Sequence, residues 1–277
     1  MLKGINQWCF PKGTPIEQVF AHSRRAGFDA VELNLQLPGN PGITVESTVQ
    51  ELEAIGRMAR DHNLQLRSIS CGLMGRNPLS SPDPEVRRRG IDLVKRKIEI
   101  ANLLGMDTAL LVPAFVDEAE ASYDEAYQRS QEALHELARF AEQHKVHIGI
   151  ENVWNKFLYS PLEMARYIDE LQSPYVGAYF DVGNVVNFGF PEQWIRILGP
   201  RIRKVHVKDF RRSVGTAYGV VPLLAGDVNW IEVRKALQEI GYRDTLTAEL
   251  SPYASAPFQL VYDTARHLDV IIHGGEK

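Results

Sequence analysis

Short apolar runs alternate with amphipathic helical patterns along the whole chain. Each run of four to six residues is rich in leucine, β-branched or aromatic side chains, and apolar positions then recur every three or four residues. The predicted strands are residues 3–8, 30–33, 65–70, 108–112, 146–151, 176–181, 202–207 and 245–249. Strands that alternate with helices predict βαβ units and a parallel sheet.

Helix boundaries are visible between these strands. The helical period is clear in three segments, residues 49–59, 126–141 and 261–272. Ser160-Pro161 and the segment 81–85 are typical helix starts, and the segment 251–255 predicts the start of the last helix. Glycines that end helices precede three of the strands, at Gly27, Gly105 and Gly241.

Eight such strand–helix units in 277 residues predict a closed (β/α)8 TIM barrel, an α/β fold with a single domain over residues 1–277. The long connection lies between the seventh and eighth strands, where residues 208–227 have no helical period. Long irregular loops are usually functional, so we expect this one to take part in the site.

Composition narrows the class of protein. The formal net charge of −4 disfavours nucleic acid as a partner, because phosphate neutralisation needs a cationic face. Two cysteines, Cys9 and Cys71, are too few for a disulfide scaffold, and no apolar run is long enough to cross a membrane. We therefore expect a soluble cytoplasmic protein without a membrane or nucleic-acid partner.

Polar side chains end the last four predicted strands. Glu151 and Asp181 end strands five and six, His206 lies near the end of strand seven, and Glu249 lies near the end of strand eight. Active sites of barrels form at this edge, and three unpaired anions there would repel one another. The pattern predicts one bound divalent cation, with Mn²⁺, Mg²⁺ or Co²⁺ favoured and Zn²⁺ open. The other histidines fall in helices or at the wrong strand end, which favours a mononuclear site.

Six motifs resemble the xylose isomerase-like TIM barrel superfamily of sugar and sugar-phosphate isomerases and epimerases. They are Glu151-Asn-Val-Trp154, Phe180-Asp-Val-Gly-Asn184, Val205-His-Val-Lys-Asp209, Ala248-Glu-Leu250, Gly27-Phe-Asp-Ala-Val-Glu32 and Gly226-Asp-Val-Asn-Trp230. The resemblance implies that Glu151, Asp181, His206 and Glu249 bind the metal. In the ketose 3-epimerase branch it further implies that Glu151 and Glu249 act as acid and base on opposite faces of the substrate.

The chain departs from the free-ketose epimerases at two positions. Asn184 stands where they have a histidine, and Phe157 stands where they have a substrate-binding glutamate, whereas Arg212 matches. The Asp-Val-Gly-Asn version is more similar to the branch that acts on pentulose or hexulose phosphates. We therefore expect a metal-dependent carbohydrate isomerase that abstracts a proton next to a carbonyl while the cation stabilises the enediolate, with a ketose or ketose-phosphate 3-epimerase favoured.

The predicted substrate contacts are Trp8, Asn184, Lys208 and Arg212. Lys208, Arg211 and Arg212 form a basic cluster that, with the amides at the start of the last helix, predicts a phosphate-binding site. Glu32 has two interpretations, a contact to a substrate hydroxyl or a salt bridge across the rim.

Several other functions remain open. A keto-inositol or dehydroshikimate type of dehydratase uses the same four ligands, and a hydroxypyruvate isomerase is also compatible. A sugar-binding module without catalysis is less favoured, because it has no need for paired acid and base carboxylates. A DNA-repair endonuclease of the superfamily is disfavoured because its three zinc ions need more histidines at strand ends. The resemblance also implies association into homo-oligomers.

Overall fold

All eight predicted strands form and close a parallel barrel. The computed structural model describes residues 1–117 and 121–275. The barrel strands are β1 Leu2–Asn6, β2 Ala30–Leu35, β3 Gln65–Cys71, β4 Thr108–Leu111, β5 His147–Glu151, β6 Val176–Asp181, β7 Ile202–Val207 and β10 Thr245–Ala248. Each strand pairs in parallel with the barrel strands before and after it in the chain, and β10 pairs with β1. The predicted (β/α)8 barrel is confirmed.

Helices follow the strands and surround the barrel. In the described ranges they are α1 Ile16–Ala26, α2 Val49–Asp61, α3 Pro84–Leu103, α4 Tyr123–His144, α5 Pro161–Asp169, α6 Pro191–Leu198, α7 Trp230–Glu239 and α8 Gln259–His273. Gly27 ends α1 with a φ of 88°, in the left-handed region that glycine adopts without strain. No helix in these ranges combines the length and the apolar run needed to cross a bilayer.

Two boundaries and one loop are among the differences between the predicted elements and the structure. The first strand ends at Asn6 rather than at residue 8, because the Asn6 side chain accepts a hydrogen bond from the Trp8 amide and starts a 3-10 turn. The last helix begins at Gln259, so the prediction that it starts at 251–255 is wrong. The connection 208–227 is partly ordered by a short antiparallel pair, β8 Asp209–Phe210 with β9 Val220–Val221.

The barrel strands carry almost entirely buried side chains. In β2, β4, β6 and β10 every residue is buried, as expected where helices cover the outside of a parallel sheet and side chains fill its inside. The register brings neighbouring strand ends level: Asp181 pairs with His206, and His206 pairs with Thr247, two positions before Glu249. The carboxyl ends of β5, β6, β7 and β10 are therefore adjacent along one side of the barrel mouth.

An ion-pair network crosses the amino-terminal end of the barrel. The Lys204 ammonium of β7 lies 2.7 Å from Asp107 Oδ1 and 2.6 Å from Asp244 Oδ2. Arg67 of β3 contacts the same two carboxylates at 3.1 and 2.7 Å. Lys204 is only 1% exposed, and the two carboxylates compensate its buried charge. This network lies at the end of the barrel opposite the predicted site and has a structural role.

Candidate metal and catalytic centre

The four predicted metal ligands converge at the barrel mouth. Glu151 and Asp181 are the last residues of β5 and β6, His206 is the penultimate residue of β7, and Glu249 directly follows β10. One ligand atom from each lies within 4.8 Å of those of all the others. His206 Nδ1 is 3.0 Å from Glu151 Oε1 and 3.7 Å from Glu249 Oε2. The sequence prediction that these four side chains meet therefore agrees with the structure.

The cluster has the features that a divalent cation requires. Asp181 Oδ1 accepts a hydrogen bond of 2.7 Å from the Asn184 amide, whereas Asp181 Oδ2 is buried and makes no hydrogen bond. The Lys208 ammonium, 3.1 Å away, offsets part of this buried charge, and Asp181 Oδ2 keeps lone pairs that a metal ion can use. Three carboxylates and one imidazole are the donor set of hard or borderline divalent ions. The residues present thus fit the cation that the sequence predicts.

Glu32 holds the His206 ring from its other side. Glu32 Oε1 lies 2.6 Å from His206 Nε2, so we assign a proton to Nε2, and Nδ1 faces the ligand cluster. Glu32 also accepts hydrogen bonds of 2.5 Å from the hydroxyls of Ser68 and Tyr179 and from Asn6 Nδ2. Of the two interpretations of Glu32, the ionic contact is present in the structure. A carboxylate behind the imidazole is the usual support of a metal-binding histidine.

The Glu32–His206 contact changes the pKa of both groups. Burial alone would raise the pKa of Glu32, but the charge of His206 and the hydrogen bonds to the carboxylate outweigh burial and lower it to about 2. Burial alone would lower the pKa of His206, but the carboxylates of Glu32 and Glu249 raise it well above its ordinary value. In the metal-free protein the two groups therefore form a charged pair inside the barrel, with a proton on Nδ1 as well, and a metal ion bound at Nδ1 would displace that proton.

Lys208 contacts the ligand carboxylates instead of standing free. Its ammonium donates a short hydrogen bond to Glu249 Oε2 and lies 3.1 Å from Asp181 Oδ2, and its side chain is mostly buried. These interactions supply positive charge to a cluster that otherwise holds three carboxylates. In this conformation the Lys208 ammonium is not available to a substrate phosphate.

The two glutamates that end β5 and β10 have different pKa values. Burial raises the pKa of Glu151 to about 7, with the Glu249 charge acting in the same direction and the hydrogen bond from His206 acting against it. Burial would also raise the pKa of Glu249, but the Lys208 ammonium and His206 hold it below its usual range. Burial raises the pKa of Asp181 as well. Environments that separate the pKa values of two carboxyl groups are typical of acid and base pairs.

Comparison with known proteins agrees with this geometry. The family model described as "Xylose isomerase-like TIM barrel" matches residues 20–269. The chain belongs to this family. The resemblance seen in the sequence is therefore confirmed over most of the barrel.

Relatives of this xylose isomerase-like barrel include several sugar epimerases. L-ribulose-5-phosphate 3-epimerase UlaE of Escherichia coli (strain SMS-3-5 / SECEC) is 24% identical over 240 residues, which cover 86% of this chain and 83% of the relative. The solved structure of D-psicose 3-epimerase with D-tagatose from Clostridium cellulolyticum H10 has a TM-score of 0.82 at 16% identity and covers 100% of both chains. L-ribulose 3-epimerase has a TM-score of 0.81 at 20% identity, over 98% of this chain and 94% of that chain. These proteins are carbohydrate epimerases, which are isomerases, and the predicted enzyme class is confirmed.

Two of the predicted substrate contacts, Trp8 and Asn184, lie at the mouth of this xylose isomerase-like barrel. Trp8 is 40% exposed just beyond β1. Asn184 braces the loops after β5 and β6, because its side chain donates to the Asn152 carbonyl and its own carbonyl accepts from the Trp154 indole. Their contacts with substrate remain predictions.

The other positions singled out by the resemblance lie further from the ligands. The exposed Arg212 guanidinium lies 5.5 Å above the Phe190 ring, and within the described residues no ion pair joins it to the four ligands. Phe157 is buried and packs edge-on against Tyr167, with 5.6 Å between ring centroids. The position at which the resemblance implies a substrate-binding glutamate in free-ketose epimerases thus holds a core residue here.

The sequence analysis missed the hydrogen-bonded support beneath the imidazole. Asn6, Ser68 and Tyr179 lie on three different strands and donate hydrogen bonds to Glu32, and Asn34 is hydrogen-bonded to Asn6. A signal exists in the sequence, because each is a polar side chain inside an otherwise apolar strand and is therefore costly unless paired. Their partners are far apart in the chain, so the pattern could not tell which of them meet.

Proposed function

We propose that this chain is a divalent-metal-dependent ketose or ketose-phosphate 3-epimerase. The observation that carries the proposal is that Glu151 and Glu249, which come from the first and last of the four ligand strands, both lie beside the His206 imidazole. Relatives named for epimerisation at carbon 3 of ribulose, ribulose 5-phosphate and psicose support the same chemistry.

Glu151, Asp181, His206 and Glu249 would hold the cation, with Glu32 orienting the imidazole. A divalent ion bound there would supply a Lewis acid that makes the proton on carbon 3, next to the carbonyl, easier to remove. Mn²⁺, Mg²⁺ and Co²⁺ suit the three carboxylates best, and Zn²⁺ remains compatible with the set.

Glu151 and Glu249 would move the proton. They come from β5 and β10, which are separated around the mouth by β6 and β7, so they approach a bound substrate from two sides. Glu151 contacts the cluster through Oε1 and Glu249 through Oε2, and among the described residues the other oxygen of each makes no hydrogen bond. One free oxygen takes the proton from carbon 3 and the other returns a proton on the opposite face, which inverts the centre. Each step of this kind contributes about 10²- to 10⁴-fold in rate.

Exchange of the carbon-3 proton with solvent tests this function. The Mn²⁺-loaded protein is incubated in D₂O with L-ribulose 5-phosphate, L-ribulose and D-psicose, quenched with chelator, and followed by NMR. We expect deuterium at carbon 3 together with inversion. Migration of the carbonyl would instead identify an isomerase, loss of water a dehydratase, and absence of exchange with every ketose would contradict the proposal.

Single carboxamide variants test the two carboxylates. Glu249→Gln should lower turnover by about 10²- to 10⁴-fold, and Glu151→Gln should do the same from the other side. Glu53→Gln, which removes a charge from the exposed face of α2, serves as the control and should leave turnover unchanged. If Glu249→Gln kept both solvent exchange and turnover, its role as acid or base would be refuted.

A further inference from the structure

The ligands occupy only half of the barrel mouth. All four come from β5, β6, β7 and β10, and β1 to β4 form the remaining arc. The loops that follow β1 to β4 therefore border the part of the mouth that the ligands leave free. Lys208, Arg211 and Arg212 follow β7 and lie in the half that carries the ligands.

A cavity of about 340 Å³ opens in that other half. Its lining comes from the segments after β1, β2 and β10 and includes Gln7, Trp8, Lys12, Asn34, Gln36 and Pro252. We call it the β1–β2 cavity. Its volume is in the range of small-molecule sites.

Hydrogen bonds connect the β1–β2 cavity to the metal ligands. His206 contacts Glu32, Glu32 accepts from Asn6, and Asn6 exchanges two hydrogen bonds of 3.1 Å with Asn34, which lines the cavity. The Asn34 amide in turn donates to Gln7 Oε1, another lining residue. The wall of the cavity is thus held in a fixed relation to the imidazole.

The lining of the β1–β2 cavity has one cation and no acid. Lys12 supplies the cation, and no described residue forms an ion pair with it. Each of the four other cavities that we compared includes at least one Asp or Glu in its lining. An anionic group therefore meets no carboxylate in this cavity.

Each cation of the basic cluster after β7 lies against another group of the protein. Lys208 contacts two ligand carboxylates, Arg211 donates to the Ala225 carbonyl at 2.6 Å, and Arg212 covers the Phe190 ring. Lys12 has no such partner within the described ranges, and it lines the cavity itself.

We propose that the β1–β2 cavity binds the phosphate-bearing end of the substrate, with Lys12 as its cation and Trp8 against the carbon chain. The inference rests on the proposed function, since it assumes that the reacting carbons lie at the four ligands. It moves the phosphate site from the cluster after β7, where the sequence predicted it, to the loop between β1 and α1. A lysine beside a phosphate forms charge-assisted hydrogen bonds, which are stronger than neutral ones.

Paired substrates with and without phosphate test the site. KM is measured for L-ribulose 5-phosphate and L-ribulose with the Mn²⁺-loaded wild type, Lys12→Met and Arg212→Met. We expect Lys12→Met to raise KM for the phosphate about tenfold and to change KM for L-ribulose by less than about twofold. Lys235→Met, on the exposed face of α7, is the control and should change neither. The inference would be overturned if Lys12→Met changed KM equally for both substrates or for neither. It would also be overturned if only Arg212→Met raised KM for the phosphate selectively.

A second measurement separates this inference from the proposed function. If the wild type exchanges no carbon-3 proton of any ketose, the proposed function fails but the cavity is still tested with inorganic phosphate. Titration of the Mg²⁺-loaded protein, followed by ¹H–¹⁵N NMR, should shift the amides of Lys12 and Gly13 in the wild type and not the Gly13 amide in Lys12→Met. The absence of shifts in the wild type would overturn the phosphate site.

Discussion

Replacement of Glu32 by glutamine tests the support behind the His206 imidazole, a proposed metal ligand. The carboxylate accepts from Asn6 and His206 at Oε1 and from the hydroxyls of Ser68 and Tyr179 at Oε2. A glutamine has one acceptor oxygen and one donor nitrogen. The glutamine nitrogen fits at the Oε2 position, because the hydroxyls there can accept a hydrogen bond as well as donate one. The glutamine oxygen must then face Asn6 and His206, because their N–H groups can only donate. Glu32→Gln therefore keeps the ring orientation and removes the charge.

The expected loss in metal affinity follows from that lost charge. A neutral partner makes the His206 ring a weaker base, and changes at this position of metal sites cost 10- to 100-fold in affinity. This corresponds to about 1.4 to 2.8 kcal/mol, since each tenfold change is about 1.4 kcal/mol. The metal-free protein should lose about 1.5 to 3 kcal/mol of unfolding free energy, the range for hydrogen bonds to charged groups.

Isothermal titration with Mn²⁺ measures the effect, after both proteins are stripped with chelator. Glu53→Gln has the same change in net charge on the exposed face of α2 and should bind Mn²⁺ like the wild type. An affinity of Glu32→Gln equal to that of the control would refute the view that the carboxylate tunes the imidazole.

Three further predictions concern the same region. Lys208→Met removes an ammonium that lies against two ligand carboxylates, so calorimetric titration should give about tenfold tighter Mn²⁺ binding, and Tm measured in chelator should fall. Weaker Mn²⁺ binding would instead mean that Lys208 orients the ligands. The pKa of Glu32 is lowered by folding, so this group stabilises the protein above its ordinary pKa of 4.5, and the stability is lost as the pH falls towards 2. The pKa of His206 is raised by folding, so this group stabilises the protein below its ordinary pKa of 6.5, and the stability is lost as the pH rises through the raised pKa. In urea unfolding with chelator, the stability difference between wild type and Glu32→Gln should therefore be largest between about pH 4.5 and 6.5, and a flat difference would contradict the pair. Gly149→Ala should lower the unfolding free energy by about 1 to 3 kcal/mol, because its Cβ would lie 2.9 Å from Tyr179 Cβ, and an unchanged urea midpoint would contradict this.

The barrel could be predicted because its signals are local. Strand and helix periods, the glycine after α1 and the proline at the start of α3 each act over a few residues. The errors arise where a side-chain contact, rather than the hydrophobic period, determines the backbone conformation. The Asn6 side chain turns the chain out of β1 two residues early, and the segment before Gln259 remains non-helical despite its Ser-Pro start.

The part of the site that could be predicted is the part whose position follows from the strand order alone. Because parallel strands end at one edge, the four ligands could be expected together from their strand positions. The position of Lys208 could not, since its ammonium is drawn to Asp181 and Glu249 by a charge excess that exists only after folding. The contact of Glu32 with His206 likewise joins residues 174 positions apart.

The ion-pair network at the amino-terminal end joins the two halves of the chain. We divide the chain at Lys145, where α4 ends. Arg67 and Asp107 then belong to the first half and Lys204 and Asp244 to the second, so the Arg67–Asp244 and Lys204–Asp107 contacts join the two halves. Strand pairing links only neighbours around the ring, whereas these contacts reach across its diameter. Two half-barrels made as separate polypeptides would therefore carry complementary charges on the surfaces that must meet, and added salt should slow their reassembly.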